Sequence, residues 1–248
     1  MPWPVKGTTI ARRENRENHI EMAEKAKPPV RKRSANVDTR IKIMEAAERL
    51  FGEQGVDAVA LRSISIEARQ KNTASVQYHF TDKLGLLQAI FEYREGQLDI
   101  MRGELLRLGR EHWQLSDIRW LLRVCFLPNF RHFTDNAGLP YIKLHAQYLA
   151  NLRPRGIPHP VDYECPSTTH FRDAIARMAR KLNFLTIDQF NLRLESVGAM
   201  FLGAVIQLGS RPEPPDTNHA AFFETILDMM AAAMAVPPWA FEPPEDTG

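Results

Sequence analysis

Residues 61–83 read LRSISIEARQKNTASVQYHFTDK, and this stretch decides the fold of the N-terminal part of the chain. Ile64 and Ala68 lie four residues apart on one face of a predicted helix that covers roughly residues 61–69. A turn at residues 70–72 separates it from a second short helix predicted over residues 73–80. Two short helices joined by a tight turn are the helix-turn-helix arrangement, in which the second helix enters the DNA major groove.

The second of these helices is unusually polar. It is too short to persist alone in water, so we expect Val76 and Phe80 to anchor it against its neighbours and leave its polar face outward. Small and hydrogen-bonding side chains make up that face. We predict that base edges or phosphates are reached by Thr73, Ser75 and Gln77. Tyr78 and His79 are predicted to donate to phosphate oxygens.

Two further helices are predicted to flank this pair. The upstream helix starts at Asp38 or Thr39, either of which can cap its first turn, and Gly55 ends it because glycine readily takes the left-handed conformation. The downstream helix begins near Asp82 and continues to about Leu108. The first three of these helices, together with the start of the fourth, make up the predicted DNA-binding domain over residues 38–90.

With these helices in place, residues 39–91 resemble the N-terminal DNA-binding domain of the TetR repressor family. The resemblance covers about a fifth of the chain, and its most specific part is the tyrosine-histidine-phenylalanine sequence followed by a lysine. The matching stretches are Thr39-Arg40-Ile41, Ala46-Ala47-Glu48-Arg49-Leu50-Phe51, Gly55, Leu61-Arg62-Ser63-Ile64, Val76-Gln77-Tyr78-His79-Phe80, and Lys83 followed by Leu86-Leu87.

The resemblance implies roles for individual residues. Lys83, Tyr78 and His79 would clamp phosphates, and Arg40 and Arg62 would lie near the DNA backbone. The side chains that would face the groove are those of Thr73, Ser75 and Gln77.

The chain departs from the family pattern at the turn. The usual Ala-Gly pair is Ala68-Arg69 here, so a position that favours glycine carries a large basic side chain. The turn also has one more residue than the commonest version. Both differences leave open the tilt of the third helix and the base-contacting set.

The remainder of the chain is also predicted to be helical. The fold class is all-α, with the three-helix helix-turn-helix domain followed by a larger helical ligand-binding and dimerisation domain over residues 91–236. We expect a flexible tail over residues 237–248. The predicted helices after the DNA-binding domain are 116–133, 137–152, 167–182, 186–209 and 217–235.

The N-terminal segment differs from the rest in charge. Residues 1–37 carry a net charge of +5, although the whole chain carries only +2. Few apolar residues occur there and Pro28-Pro29 interrupts helix formation, so we predict a mobile basic extension. The run Arg31-Lys32-Arg33 at its end is either a solvated charge cluster or a minor-groove arm.

A dimer is expected because one short helix reads few bases, whereas two copies place recognition helices about 34–36 Å apart on DNA. The 186–209 helix is apolar nearly all round and must be covered on all sides. The last two helices are therefore the predicted dimer interface, although the interior of one subunit is an alternative. The interface residues predicted are Gly198, Phe201, Gly203, Phe223, Ile226 and Met230.

The middle helices are predicted to enclose a ligand site. Their aromatic and sulfur-containing side chains with a few polar groups suit a largely apolar effector. Pro128, inside an apolar run, would kink its helix and open space beside it. The predicted lining residues are Trp113, Trp120, Phe126, Phe130, His145, Tyr148 and Met200.

These features predict a cytoplasmic, sequence-specific transcriptional regulator, a repressor that a small molecule releases from a double-stranded DNA operator. A ligand-independent activator or architectural DNA-binding protein is the alternative, and an all-α enzyme is a weaker one. No two histidines have the spacing of a helical metal pair, and Cys125 and Cys165 form no metal-type pair. We therefore expect no metal, cofactor or membrane partner.

Overall fold

A computed structural model describes residues 30–70, 74–212 and 217–238. These residues form α-helices joined by turns, three short 3-10 helices and one π-helical turn, and they include no β-strand. The α-helices are α1 (Val30–Gln54), α2 (Leu61–Glu67), α3 (Ala74–His79), α4 (Lys83–Glu111), α5 (Ile118–Asn136), α6 (Leu139–Gln147), α7 (Thr169–Lys181), α8 (Ile187–Gly209) and α9 (His219–Ala235). The all-α prediction is confirmed.

Helix α1 begins at Val30, eight residues before the predicted start at Asp38. Between Pro29 and Asp38 the sequence contains neither glycine nor proline, so nothing in it stops the helix from continuing backward. The backbone of Arg31-Lys32-Arg33 is consequently helical. At the other end the prediction is confirmed: Gly55 has a φ of 89° and donates its N–H to the Phe51 carbonyl oxygen at 3.0 Å.

The turn between α2 and α3 has Arg69 at the position where the family pattern has glycine, as the sequence indicated. Arg69 takes a left-handed φ of 53°, and the next amide, that of Gln70, donates to the Ser65 carbonyl oxygen at 2.8 Å. Buried Ile64, Val76 and Phe80 hold the two helices together. Residues 71–73 lie outside the described residues.

Helix α4 connects the helix-turn-helix to the larger helical region. It begins directly after Asp82, whose carboxylate accepts a hydrogen bond from the Gly85 amide at 2.7 Å and so caps the first turn. Its 29 residues then continue as far as Glu111. Residues from Ile43 onward form one compact unit, so this long helix belongs both to the DNA-binding part and to the part that follows.

The larger region is built around α5, which packs against α4, α7 and α9. Helix α5 continues through Pro128, the position at which a kink was expected, and ends where Ala137 takes a left-handed φ of 52°. Helix α8 packs against α6 and α9. By length and composition alone, α8 is the one described helix that could cross a membrane, although buried side chains such as Val197 and Phe201 belong to the hydrophobic core.

Candidate functional site: an exposed recognition helix and a polar-floored cavity

Helix α3 presents two of the predicted DNA-contacting side chains to solvent. Gln77 is exposed, and Tyr78 retains 78% of its exposure although it is a large aromatic residue. Ser75 and His79 are half-buried beside them, and the Tyr78 and His79 rings meet edge-to-face at 5.2 Å. Thr73 lies outside the described residues. The polar face of α3 is therefore held outward while Val76 and Phe80 fill the core.

Lys83 has contacts that the sequence did not reveal. Its half-buried ammonium donates to the carbonyl oxygens of Val56 (3.0 Å) and Asp57 (3.1 Å), in the loop that follows α1. An ammonium has three donors, so one remains for a phosphate. Arg62 on α2 is exposed, and so is Arg40 on α1. The predicted phosphate contacts are thus accessible, and Lys83 also ties the start of α4 to the loop before α2.

A cavity of about 580 Å³ lies between helices α4 to α8, within the size range of small-molecule sites. Phe126, Ile175 and Leu202 are among its apolar lining residues. Cys125, Phe126 and Asn129, which flank Pro128 on α5, all line it. The cavity therefore lies beside the segment of α5 that contains Pro128.

The cavity includes two of the seven residues predicted to line a ligand site, Phe126 and His145. Trp113 is 92% exposed and points away from any interior. Phe130 packs in the core against Phe223, with ring centroids 5.1 Å apart. The other three, which are buried or half-buried without lining the cavity, are Trp120, Tyr148 and Met200.

One end of the cavity is polar, and its key residues were not predicted. Buried Glu95 accepts a hydrogen bond from the Tyr141 hydroxyl at 2.8 Å and forms an ion pair with buried Arg102 at 2.7 Å. The Arg102 guanidinium also donates to the Asn129 side-chain oxygen at 3.2 Å. We call Glu95, Arg102 and Asn129 the polar floor.

Two histidines lie over the polar floor. His145 from α6 and His159 from the loop after it stack with ring centroids 5.0 Å apart. His145 Nδ1 and His159 Nε2 are buried, and neither has a hydrogen-bond partner among the described residues. One carboxylate oxygen of Glu95 and one nitrogen atom of each ring lie within 4.8 Å of one another.

Burial and charge determine the protonation of this cluster. Burial raises the pKa of Glu95, but opposing effects, of which the Arg102 charge is the largest, outweigh it and hold that pKa at about 2. Burial lowers the pKa of His159 to about 3, and it also lowers the pKa of His145. Burial raises the pKa of the Cys125 thiol to about 12. At neutral pH the cavity therefore presents an anionic carboxylate, neutral imidazoles and an unreactive thiol.

Charged side chains lie at the edge of the cavity. Arg153 forms ion pairs with Asp162 (3.0 Å) and Glu195 (3.3 Å), and all three residues line the cavity. These pairs join the loop after α6 to α8 and are partly exposed, so they are weak and can be rearranged at little cost. The middle of the cavity, between these ion pairs and the polar floor, is apolar.

The predicted dimer residues fall on two different sides of their helices. Gly203 has open space where a Cβ would lie, and Ile226 is half-buried. Four residues face the interior of the subunit instead, because α8 and α9 supply its own core and cavity: Gly198, Phe201, Phe223 and Met230.

A short polar helix that follows α2 and is held outward by buried Val76 and Phe80, on an all-α scaffold, defines a helix-turn-helix DNA-binding domain. Residues 43–90 match the family described as bacterial regulatory proteins, tetR family. Residues 43–90 therefore form a DNA-binding domain of the TetR type, and this domain makes the chain a DNA-binding transcriptional regulator. The resemblance stated from its sequence is confirmed.

Solved structures similar to this chain include a repressor and a gamma-butyrolactone receptor. SmeT of Stenotrophomonas maltophilia, the repressor of the multidrug efflux pump SmeDEF, is 25% identical, with 83% of this chain and 98% of SmeT covered and a TM-score of 0.46. A gamma-butyrolactone receptor described as ArpA-like is 21% identical, with 80% and 98% covered and a TM-score of 0.44. No curated protein matches. The family assignment rests on residues 43–90.

Proposed function

We propose that this regulator is a repressor whose operator binding is weakened when a small, largely apolar molecule occupies the cavity between α4 and α8. The observation that carries the proposal is helix α4, which connects the two sites. Arg94 on α4 forms a two-pronged ion pair with Glu48 of α1, at 2.6 and 3.1 Å, in the helix-turn-helix part. The next residue, Glu95, belongs to the polar floor of the cavity.

This adjacency supports coupling between ligand and DNA. A molecule that displaced Glu95 would turn or shift the same helical turn that holds Arg94 against α1. Because the Glu48–Arg94 pair is largely buried, its geometry tolerates little adjustment. A coupling of about 1–3 kcal/mol between the two sites is enough to change operator occupancy usefully.

The effector's class follows from the lining of the cavity. Side chains such as Phe171, Ile175 and Phe201 suit an apolar or aromatic body. The polar floor and the two histidines suit one hydrogen-bonding group at the buried end. We propose an apolar molecule with a single polar terminus, since unpaired polar groups elsewhere on it would lose their hydration without compensation.

The functional unit proposed is a homodimer. Leu192 on α8 is 66% exposed and Met229 on α9 is 51% exposed, although both helices are largely apolar. Ala199 and Gly203 lie on the exposed side of α8 and would let a second helix approach closely. A second copy is the occupant we propose for this face, because two recognition helices are needed to read an operator.

Selection of bound fragments from random double-stranded DNA tests the proposal directly. We expect an enriched, inverted-repeat sequence whose half-sites are about one helical turn, 34–36 Å, apart. Repeating the selection with Gln77→Ala should relax the preference at one position in each half-site, by about 1–3 kcal/mol, if this side chain reads a base. Failure to enrich any sequence, even at low ionic strength, would refute operator binding.

The selected operator then tests the role of the cavity. Thermal denaturation against a panel of apolar metabolites identifies molecules that raise the melting temperature, because a ligand that binds only the folded state stabilises it. A molecule that binds should also raise the dissociation constant for the operator. If binders leave operator affinity unchanged, the ligand-independent alternative is supported instead. Narrowing the cavity with Ala176→Phe should abolish the response and preserve DNA binding.

A further inference from the structure

Three side chains from three separate segments converge at the buried end of the cavity. Glu95 comes from α4, His145 from α6 and His159 from the loop before a 3-10 helix at Pro160–Asp162. One potential ligand atom of each lies within 4.8 Å of the other two. A carboxylate with two imidazoles is a common donor set for zinc and related ions.

The ring nitrogens of both histidines indicate that the cluster accommodates another group. Buried polar atoms nearly always have a partner, yet His145 Nδ1 and His159 Nε2 have none among the described residues. His159 is almost completely buried, with 1% of its surface exposed. Each ring therefore has one unpartnered nitrogen that can bind an ion, in a cluster that also includes the Glu95 carboxylate.

We propose that Glu95, His145 and His159 bind a divalent transition-metal ion such as Zn²⁺. Donor atoms around a tetrahedral zinc ion lie about 3.3–3.5 Å apart, so atoms that are up to 4.8 Å apart here must approach by at most about 1.5 Å. All three residues line the cavity, which leaves a fourth coordination position for a ligand within it. The metal would be part of the effector site proposed above.

The surroundings of Glu95 suit a ligating carboxylate. Tyr141 donates to one carboxylate oxygen and Arg102 to the other, at 2.8 and 2.7 Å. Each oxygen retains a second lone pair, and carboxylates that bind metals are usually held in place by such hydrogen bonds. The two donors therefore orient Glu95 without consuming its capacity to bind an ion.

Metal binding through Nε2 would place the His159 ring proton on Nδ1, and a nearby carboxylate can accept a hydrogen bond from it there. His159 Nδ1 now accepts a long hydrogen bond from the Val161 amide, 3.4 Å away. With Nε2 on the metal, Nδ1 carries the proton and becomes a donor. The Asp162 carboxylate, which accepts from the His159 amide at 2.8 Å, offers an acceptor in the same turn. Such carboxylate–histidine–metal arrangements are usual in metal sites.

The balance of charge around the cluster favours a cation despite the adjacent guanidinium. Arg102 lies between two buried carboxylates, 2.7 Å from Glu95 and 3.6 Å from Asp99. Asp99 is also held by the amides of His170 and Phe171, each 2.9 Å away, at the start of α7. The His170 ring also contacts Asp99 through Nδ1 at 2.9 Å. Two carboxylates thus share the one guanidinium charge of Arg102, so the charge of Glu95 is only partly balanced.

Titration of Co²⁺ alone into chelator-treated full-length protein tests the site without DNA. We expect a visible d–d absorption band that saturates near one equivalent per chain and is bleached by Zn²⁺. Zn²⁺ should also raise the melting temperature, since it binds only the folded arrangement. The variants His145→Gln and His159→Gln should each weaken Co²⁺ binding at least about tenfold. His112→Ala, at an exposed histidine outside the cluster, should bind like the wild type.

Absence of both the band and the melting-temperature shift in the wild type overturns the proposal. Retained affinity in both glutamine variants, or loss of affinity in His112→Ala, also overturns it, because the ion would then bind at the surface. Circular dichroism of each variant establishes that it folds; if one cluster variant unfolds, the other decides. Since none of these measurements uses DNA, a negative result leaves the repressor proposal standing, and failure of operator binding leaves the metal site standing.

Discussion

The side-chain amide of Gln147 donates to the backbone carbonyl oxygen of Gly52 at 3.0 Å, joining α6 of the larger region to α1 of the helix-turn-helix. Gly52 permits this contact, because a Cβ at this position would overlap the Pro140 carbonyl group at the start of α6. His145 of the cavity lies on the same helix as Pro140 and Gln147. A second connection between cavity and DNA-binding domain therefore lies beside the one made by α4.

Replacing Gly52 with alanine should force α1 and α6 apart. The obstacle is backbone rather than a flexible side chain, so we expect the free energy of unfolding to fall by about 1–3 kcal/mol, as in other overpacked interiors. Denaturant unfolding at fixed protein concentration measures this change. Gly96→Ala is the matched control: its Cβ would meet Ser167 Cβ at an ordinary 3.6 Å, and stability should hold or rise. Equal effects of the two substitutions would contradict the close approach.

Arg69 is strained by its left-handed φ of 53°. Such a conformation costs a residue with a Cβ roughly 1–2 kcal/mol relative to glycine, part of which glycine loses again through its greater freedom in the unfolded chain. Arg69→Gly should therefore stabilise the protein by about 1 kcal/mol. Arg69→Ala removes the same charge but retains the strain, so its stability should stay near that of the wild type. If alanine stabilises as much as glycine, charge rather than backbone conformation is responsible.

Lys83 should contribute to both stability and DNA binding. Lys83→Ala removes two hydrogen bonds from a charged donor to the carbonyl oxygens of Val56 and Asp57, and we expect unfolding to become easier by about 1–3 kcal/mol. If Lys83 also contacts one phosphate, the log–log salt dependence of DNA binding should flatten by about 0.9. Both quantities are measurable on one preparation. Lost stability with an unchanged salt slope would assign Lys83 a structural role alone.

His132 should make stability depend on pH. Burial, reinforced by the Arg94 charge, lowers the pKa of His132 to about 4, compared with 6.5 when unfolded. Between these values the unfolded chain binds more protons, so stability falls as pH decreases from about 6.5 to 4. Full burial would give about 3 kcal/mol, and partial exposure of the ring reduces our expectation to about 1–2 kcal/mol.

The test compares wild type with His132→Gln across this pH range. Glutamine does not titrate, and the other histidines contribute equally to both proteins. As the pH falls from 7 to 4, the unfolding free energy of the wild type should decrease by about 1–2 kcal/mol more than that of His132→Gln. A constant difference would mean that His132 is protonated in the folded state as readily as in the unfolded one.

The sequence predicted the helix-turn-helix well because local signals determine it. The glycine after α1, the apolar spacing of α2 and the capping residue Asp82 each act within a few residues of their position. Even the departure at Arg69 could be located, since the turn requires a residue with positive φ. The start of α1 was placed too late because a helix without a breaker has no local signal for where it begins.

The polar floor and its histidines could not be predicted from local pattern. Glu95 and His145 are fifty residues apart, and His159 follows fourteen residues later in a loop. Only the packing of α4 against its neighbours brings them together. The side of α8 that faces its own subunit could not be predicted either, because a helix that is apolar all round gives no sign of which side is buried. In the structure, Gly198 and Phe201 line the cavity.

The exposed side of α8 leads to the last prediction, which concerns assembly. No atom of the described residues lies within 4 Å of where a Cβ of Gly203 would be, so Gly203→Glu should leave the subunit folded. In the proposed dimer the added carboxylate would be buried against a second copy without a partner, which is strongly unfavourable. We expect monomers in sedimentation velocity and a large loss of operator affinity. Ile100→Glu, at an exposed position on α4, should remain dimeric. A Gly203→Glu protein that still sediments as a dimer would move the interface away from α8.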